Sequence, residues 1–162
     1  MILRGNSGSG KTAVARALQG RGARGQRAVV SQDVVRREVL WTWDVAGNPA
    51  IELIDLMVRY LLEAGMSVIV EGILHPDRYA EMLIQLAREH RGTTCSYFWN
   101  IPFAETLRRH ATKDKAAEFG EAEMREWWYG AAVVPDLNEV SIGPEWSLEA
   151  TVERIESDCG WI

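Results

Sequence analysis

One stretch near the start of the chain constrains the fold more than any other. It reads Gly-Asn-Ser-Gly-Ser-Gly-Lys-Thr, follows an apolar run at residues 1–3, and leads into an Ala-, Val- and Leu-rich stretch over 11–18. These flanking patterns predict a strand, a glycine-rich loop and a helix in that order. Glycines let successive backbone N–H groups point inward at phosphate oxygens, and the start of a helix adds partial positive charge. The sequence therefore predicts a phosphate-binding loop.

The residue types in this loop indicate a nucleoside triphosphate and a metal ion as ligands. Lys11 is expected to reach the β- and γ-phosphates of ATP, and the Thr12 hydroxyl is expected to ligate Mg²⁺. The pattern leaves GTP in place of ATP open. The predicted nucleotide-binding residues are Gly5, Asn6, Ser7, Gly8, Ser9, Gly10, Lys11 and Thr12.

Apolar periodicity divides the rest of the chain into alternating strands and helices. Further strands are predicted over 28–30, 67–71, 94–101 and 140–142. Helices are predicted over 34–41, 50–64, 102–110, 121–129 and 148–157, with another that begins at Pro76 and is closed by Gly92. Such alternation argues for a parallel sheet with helices on both faces, the doubly wound α/β class. The polar segment 111–120 is the candidate for a lid.

Length and composition predict a single domain over residues 1–162. The net charge of −5 disfavours a charge-driven grip on nucleic acid. Cys95 and Cys159 lie far apart in the sequence, so we expect reduced thiols, with one long-range disulfide as the alternative. The sequence has neither a cationic leader nor an apolar stretch of about 20 residues, so we expect a cytoplasmic protein without membrane contact.

Glu71 ends the buried strand pattern over 67–71. In a parallel sheet its side chain is expected at the carboxyl edge, where the phosphates also lie. There Glu71 would order a water bound to Mg²⁺. The alternative is an acidic strand end that caps the next helix or pairs with a neighbouring arginine.

Asp33 comes three residues after the second predicted strand, and Arg36 follows three residues later. Asp33 could accept a proton from a substrate hydroxyl as that hydroxyl attacks the γ-phosphate, while Arg36 holds the substrate. The alternative is a helix N-cap, a position that Asp favours, with an ordinary surface arginine behind it. The spacing alone leaves both interpretations open.

These residues resemble a P-loop kinase-like group that includes chloramphenicol phosphotransferase, zeta toxins and the polynucleotide 5′-hydroxyl kinases. The likeness rests on the glycine loop, on Asp33-x-x-Arg36 and on an arginine-bearing helix before a lid. It implies a five-stranded parallel sheet in the order 2-3-1-4-5 for the predicted strands. It also implies that Asp33 is the base that activates the acceptor and that Arg36 is an acceptor-side ligand.

The same resemblance implies a lid arginine, Arg108 or Arg109, that neutralises charge on the transferred phosphoryl group. Where such lids often carry a second arginine, this chain has Lys113 and Lys115. Lysine is a point charge and lacks the planar fork of arginine, so the basic residue that meets the phosphates is not fixed by the pattern. Lys113 is expected to accompany the lid arginine.

Other functions fit the sequence less well. The Asn-Lys-x-Asp motif that reads guanine in switch GTPases is absent, and the three histidines lack metal-binding spacing. A nucleic-acid substrate would have only a short basic track, made of Arg21, Arg24 and Arg27. Four tryptophans near the acceptor and lid segments could form an aromatic wall for a substrate or fill core gaps. They are Trp41, Trp43, Trp127 and Trp128.

The sequence thus predicts an ATP- and Mg²⁺-dependent kinase that transfers the γ-phosphoryl group to a hydroxyl of a small molecule. One alternative is a kinase acting on a nucleoside, a nucleotide sugar or a nucleic-acid 5′-hydroxyl. An alternative of another class is a nucleotide-binding sensor that transfers no phosphate. The expected partners are a nucleoside triphosphate and a hydroxyl-bearing small molecule, and no pattern specifies the oligomeric state.

Overall fold

The computed structural model of the protein describes residues 1–112 and 119–161. Its strands are β1 (Ile2–Gly5), β2 (Arg27–Ser31), β3 (Ser67–Gly72), β4 (Ser96–Trp99) and β5 (Val140–Ile142). Its α-helices are α1 (Lys11–Arg21), α2 (Ala50–Glu63), α3 (Pro76–Glu89), α4 (Phe103–His110), α5 (Glu121–Glu126) and α6 (Leu148–Asp158). A π-helix spans Val34–Val39, and a 3₁₀ turn spans Pro135–Leu137.

The strands form one five-stranded sheet in the order β2-β3-β1-β4-β5. Every neighbouring pair is parallel, which confirms the predicted fold class and strand order. The register pairs Glu71 with Leu3 of β1 on one side and with Ser31 of β2 on the other. Because the strands are parallel, the loop after β1, the end of β2 and the end of β3 meet at one edge of the sheet.

Helices cover both faces of the sheet, and each face has its own apolar core. On one face α2 and α3 pack over β3, with Ile54 and Leu83 fully buried. On the other face α1 packs against α6, with Leu18 and Ile155 fully buried. A sheet covered on both faces needs apolar strands, which explains the β-branched run of β3.

Local sequence signals account for two of the helix ends. Gly65 follows α2 with φ of +80°, and the N–H groups of Gly65 and Met66 donate to the carbonyls of Leu62 and Leu61. This is the Schellman arrangement, in which glycine adopts the left-handed conformation at low cost. At the start of α6, the Ser147 hydroxyl accepts a hydrogen bond from the Ala150 N–H, as its N-cap position predicts.

Several predicted boundaries differ from the structure. The short helix expected over 34–41 is a π-helix, in which Leu40 N–H donates to Val35 O, five residues back. The strand expected over 94–101 is limited to the four residues of β4. The helix expected over 121–129 ends at Glu126 because the main chain at 129–130 bonds to the phosphate-binding loop instead.

Of the predicted lid over 111–120, residues 113–118, including Lys113 and Lys115, lie outside the described residues. None of the helices in the described part of the chain combines the length and apolar character needed to cross a bilayer.

Candidate active site

The glycine-rich loop connects β1 to the first residue of α1. Gly8 and Gly10 have φ of +77° and +107°, a region that side chains with a Cβ rarely adopt. An added Cβ at Gly8 would also lie 2.8 Å from the carbonyl oxygen of Thr106 in α4. The loop therefore requires glycine both for its own path and for its packing against α4.

Lys11 is the first residue of α1, and its side chain is buried inside the loop. Its Nζ donates to the carbonyl oxygen of Asn6 over 2.9 Å and to Ser9 Oγ over 3.1 Å. The ammonium thus lies at the start of a helix, where the macrodipole adds partial positive charge. This arrangement provides a positively charged cradle suited to an anion such as a phosphate group.

Thr12 and Glu71 meet at the carboxyl edge of the sheet. The Thr12 hydroxyl donates to Glu71 Oε2 over 3.1 Å, and the Ser31 hydroxyl donates to Glu71 Oε1 over 2.6 Å. Glu71 is almost fully buried, and its two oxygens are held by hydroxyl groups. Neither alternative suggested by the sequence, a helix cap or an arginine pair, describes these contacts.

The oxygen donors at this point suit a magnesium ion. Mg²⁺ in nucleotide sites usually takes only one or two protein oxygens, with water and phosphate oxygens completing its shell. The Thr12 hydroxyl and the Glu71 carboxylate supply such oxygens beside the loop. Within residues 1–112 and 119–161, no group of three or more His, Cys, Asp or Glu residues could form an all-protein metal cage.

Asp33 and Arg36 form a pair on the π-helix side of this edge. Arg36 Nη2 donates to Asp33 Oδ1 over 3.5 Å, which is a weak contact. The Asp33 side chain is 53% exposed, whereas that of Arg36 is 16% exposed. Asp33 occupies the N-cap position, but its side chain makes no capping hydrogen bond. Its carboxylate therefore faces solvent instead of satisfying the helix start.

Gln32 fixes the main chain just before Asp33, although sequence reasoning did not single it out. Its Oε1 accepts from the Leu74 N–H over 2.8 Å, and its Nε2 donates to Asp44 over 3.2 Å. An added Cβ at Gly72 would lie 2.5 Å from Gln32 Oε1, so glycine ends β3 to make room for this side chain. Gln32 thereby ties the Asp33 segment to the end of β3.

The two candidate lid arginines lie in different places. Arg109 is 24% exposed, and its Nη1 donates to the carbonyl oxygen of Ser9 in the loop over 2.9 Å. Its Nη2 donates to the carbonyl oxygen of Pro144 over 3.3 Å. Arg108 is 71% exposed, and its Nε and Nη2 donate to the Glu105 carboxylate. Hydrogen bonds from Arg108 and Arg109 lower the pKa of Glu105 to about 2.

Two buried side chains that the sequence analysis did not recognise as anchors hold the loop in place. The Asn6 side chain donates to the carbonyl oxygen of Gly130 and accepts from the Tyr129 N–H. Arg4, inside β1, forms a buried ion pair with Glu139 over 2.7 Å. Both anchors therefore attach the N-terminal end of the loop to the segment that precedes β5.

Several weaker sequence features take structural roles. Arg21 and Arg27, two members of the expected basic track, both pair with Glu156. This weakens the case for a nucleic-acid site there. Trp127 and Trp128 are partly buried, with their rings against Phe119 and Phe103. By contrast, Trp41 and Trp43 are among the most exposed apolar side chains described.

A cavity of about 390 Å³ lies at the opposite edge of the sheet, at the amino ends of the strands. Its lining includes Met1, Ser67 and Val68. Because the phosphate-binding loop is at the carboxyl edge, this cavity is not part of the candidate site.

Comparison with models of protein families and with curated proteins finds no match. Solved structures, however, match nearly the whole chain. The APS kinase of Mycobacterium tuberculosis, solved with AMPPNP and APS, has a TM-score of 0.69 at 16% identity, covering 96% of this chain and 95% of its own. A gluconokinase of Sinorhizobium meliloti has a TM-score of 0.63 at 15% identity, covering 99% and 90%.

The tunicamycin resistance protein of Deinococcus radiodurans has a TM-score of 0.62 at 15% identity, and the match covers 99% of this chain and 94% of that one. At these identities the similarity establishes the fold and leaves the substrate undetermined. The chain has the fold of the small P-loop kinases over nearly its whole length, as the sequence predicted.

Proposed function

We propose that the protein is an ATP- and Mg²⁺-dependent kinase that transfers the γ-phosphoryl group to a hydroxyl of a small molecule. The proposal rests on one observation: two groups of polar residues lie at the same edge of the sheet. One set is the loop with Lys11, Thr12 and Glu71, and the other is Asp33 with Arg36. The first set suits a triphosphate, and the second suits a hydroxyl that must lose its proton.

On the nucleotide side, the loop amides and the Lys11 ammonium bind the phosphates. The Thr12 hydroxyl holds Mg²⁺, and Glu71 orients a water in the shell of the ion. When bound, Mg²⁺ neutralises charge on the phosphate oxygens. Arg109 lies against the loop at Ser9, so it takes the role of the charge-neutralising arginine, and the exposed Arg108 does not.

On the acceptor side, the Asp33 carboxylate accepts the proton of the attacking hydroxyl, and Arg36 holds the acceptor. The exposure of Asp33 suits this role because a substrate can reach the carboxylate from solvent. The contact with Arg36 is weak and leaves the carboxylate open to solvent. Catalysis then depends mainly on positioning and charge stabilisation.

Asp33→Asn tests the proposal. A library of hydroxyl compounds is screened with Mg²⁺ and ATP for ADP release above the acceptor-free background. For any acceptor found, Asp33→Asn is expected to lower kcat by about 10²- to 10⁴-fold while the Kd for ATP stays unchanged. Asp136→Asn is the matched control because Asp136 is also a half-exposed, arginine-paired aspartate, and it should retain full activity.

The sensor alternative gives a different result. A nucleotide-binding sensor would bind ATP and release no ADP with any acceptor, and Asp33→Asn would leave its behaviour unchanged. That outcome would refute the kinase proposal and still support the nucleotide-binding site. Failure to bind ATP or GTP with Mg²⁺ present would remove both.

A further inference from the structure

Two tryptophans are displayed to solvent beside the proposed acceptor site. Trp41 is 89% exposed and Trp43 is 81% exposed. Val39 and Val45, on either side of them, are also exposed. Isolated exposed apolar side chains are common on protein surfaces, but here four lie within seven consecutive residues and expose apolar area that water solvates poorly.

The backbone that carries these rings is held by specific hydrogen bonds. Thr42, between the two tryptophans, donates from its N–H to Arg36 O and accepts from Arg36 Nη1. Asp44 accepts from the Tyr79 hydroxyl over 2.9 Å and from Gln32 over 3.2 Å. The rings are therefore presented from an ordered segment that is anchored to the residues around Asp33.

Trp41 also has a φ of +50°, a left-handed conformation that is unfavourable for a bulky residue. Its exposed ring gains little packing in return. Strained backbone of this kind clusters at binding and active sites, where the surrounding structure over-determines the conformation.

A chain of contacts connects this segment to the phosphate-binding loop. The Asn6 side chain bonds the main chain at Tyr129, and the Tyr129 hydroxyl accepts from Arg78 over 3.2 Å. Arg78 in turn lies 3.4 Å from the Asp44 carboxylate, next to Trp43. The tryptophan segment thus belongs to the same assembly of loops as the nucleotide side of the site.

We infer that Trp41 and Trp43 form the apolar wall of the acceptor site and that the acceptor is a hydroxyl compound carrying a flat aromatic group. This inference rests on the proposed kinase function. Indole rings offer flat faces for stacking, and the flanking valines add only apolar contact. The Asp44 carboxylate is already bonded, so this surface suits a flat apolar ring better than a polyol.

Matched pairs of acceptors test the inference because each pair shares its sugar hydroxyls. Phenyl β-D-glucopyranoside is compared with methyl β-D-glucopyranoside, and adenosine with methyl β-D-ribofuranoside. ADP release gives kcat/KM for each. Calorimetry gives Kd with the nucleotide site saturated by a non-hydrolysable ATP analogue, which prevents adenosine from binding there.

The test variant is Trp41→Gly/Trp43→Ala, because glycine accepts the positive φ at position 41. The matched control is Leu56→Ala/Tyr60→Ala, which removes two exposed apolar side chains from α2. We expect the aryl member of each pair to be favoured by about tenfold in the unaltered protein and in the control. In the test variant the preference should disappear while the Kd for ATP is unchanged.

If none of the four compounds is phosphorylated, the Kd values from calorimetry test the inference. Aryl-selective binding that the test variant loses supports the tryptophan wall, and equal or undetectable binding overturns it. An aryl preference that survives in the test variant also overturns it. Sedimentation is measured in parallel, and a dimer that dissociates only in the test variant would assign the surface to a second copy of the chain.

The proposed function can fail separately from this inference. Aryl binding that requires the tryptophans, without ADP release from any acceptor, would support the tryptophan wall and refute the kinase function. Phosphorylation of the alkyl and aryl members at equal rates would support the kinase function and refute the tryptophan wall.

Discussion

The side-chain amide of Asn6 and the main chain at Tyr129 are joined across 123 residues of sequence. Asn6 Oδ1 accepts from the Tyr129 N–H over 2.9 Å, and Asn6 Nδ2 donates to the Gly130 carbonyl over 2.8 Å. Asn6 is buried, so its side-chain amide has little access to bulk water. The second residue of the phosphate-binding loop is therefore a structural anchor for the segment that follows α5.

Replacing Asn6 with alanine should destabilise the protein by about 1–3 kcal/mol, because two partly buried backbone groups lose their partners. The measurement is the free energy of unfolding from urea titration. Asn100→Ala is the control, since the Asn100 side chain is exposed and its loss should change stability by less than about 0.5 kcal/mol. Equal effects of the two substitutions would show that the Asn6 contacts contribute nothing.

Arg108 and Arg109 provide an internally matched comparison because both pair with Glu105 and only Arg109 contacts the loop. Arg109→Ala is expected to weaken binding of a non-hydrolysable ATP analogue by about tenfold, since a charge-assisted contact beside the phosphates is lost. Arg108→Ala should leave the Kd within about twofold, because its surface ion pair contributes little. Calorimetry with Mg²⁺ gives both values, and a larger loss for Arg108→Ala would reverse the assignment.

Glu71→Gln removes the negative charge between Thr12 and Ser31 and nearly preserves the shape of the side chain. The Mg²⁺ concentration for half-maximal ATP turnover should rise by about 10- to 100-fold, as for other groups that orient metal-bound water. Glu63→Gln, at an exposed position ending α2, is the control. An unchanged magnesium requirement would exclude Glu71 from the metal site, and an unfolding curve confirms that the variant is folded.

His75 should make stability depend on pH. Burial lowers its pKa below the ordinary value of 6.5, and its Nδ1 accepts from the Asp77 N–H at the start of α3. The folded state therefore binds fewer protons than the unfolded state just below pH 6.5, so this stability is present above that pH and lost as the pH falls. Protonation also removes the lone pair that caps the helix.

His75→Asn keeps a capping side chain without a titrating group. We expect the free energy of unfolding of the unaltered protein to fall between about pH 7.5 and about pH 5.5 more steeply than that of His75→Asn. Urea titrations across this range provide the comparison. Parallel pH profiles would mean that His75 does not contribute.

Local sequence patterns predicted most of the fold. The β-branched run of β3 and the helical periodicity of α2 have clear local causes, so both elements lie close to where the sequence predicts them. The π-helix at Val34–Val39 was missed because a five-residue hydrogen-bond step leaves no mark on residue types. The early end of α5 was missed because its cause, the bond from Asn6 to Tyr129, is long-range.

Some residues of the candidate site could likewise be predicted from local sequence, whereas others depend on tertiary packing. The loop was predictable because glycine, lysine and threonine at fixed spacing have a direct chemical reason. The choice between Arg108 and Arg109 could not be predicted, because adjacent helical residues point in different directions. Only the packing of α4 decides which of the two arginines contacts the loop. Arg4 was missed because an arginine within a strand is normally read as exposed, whereas here Glu139 neutralises it.

The position of β1 also bears on how the protein is made. This strand is near the start of the chain, yet its two neighbours in the sheet are β3 and β4. On the ribosome, the nascent chain cannot flank β1 on both sides until Ser96–Trp99 have emerged. β1 therefore acquires both of its neighbours in the sheet only after the chain as far as β4 has been synthesised.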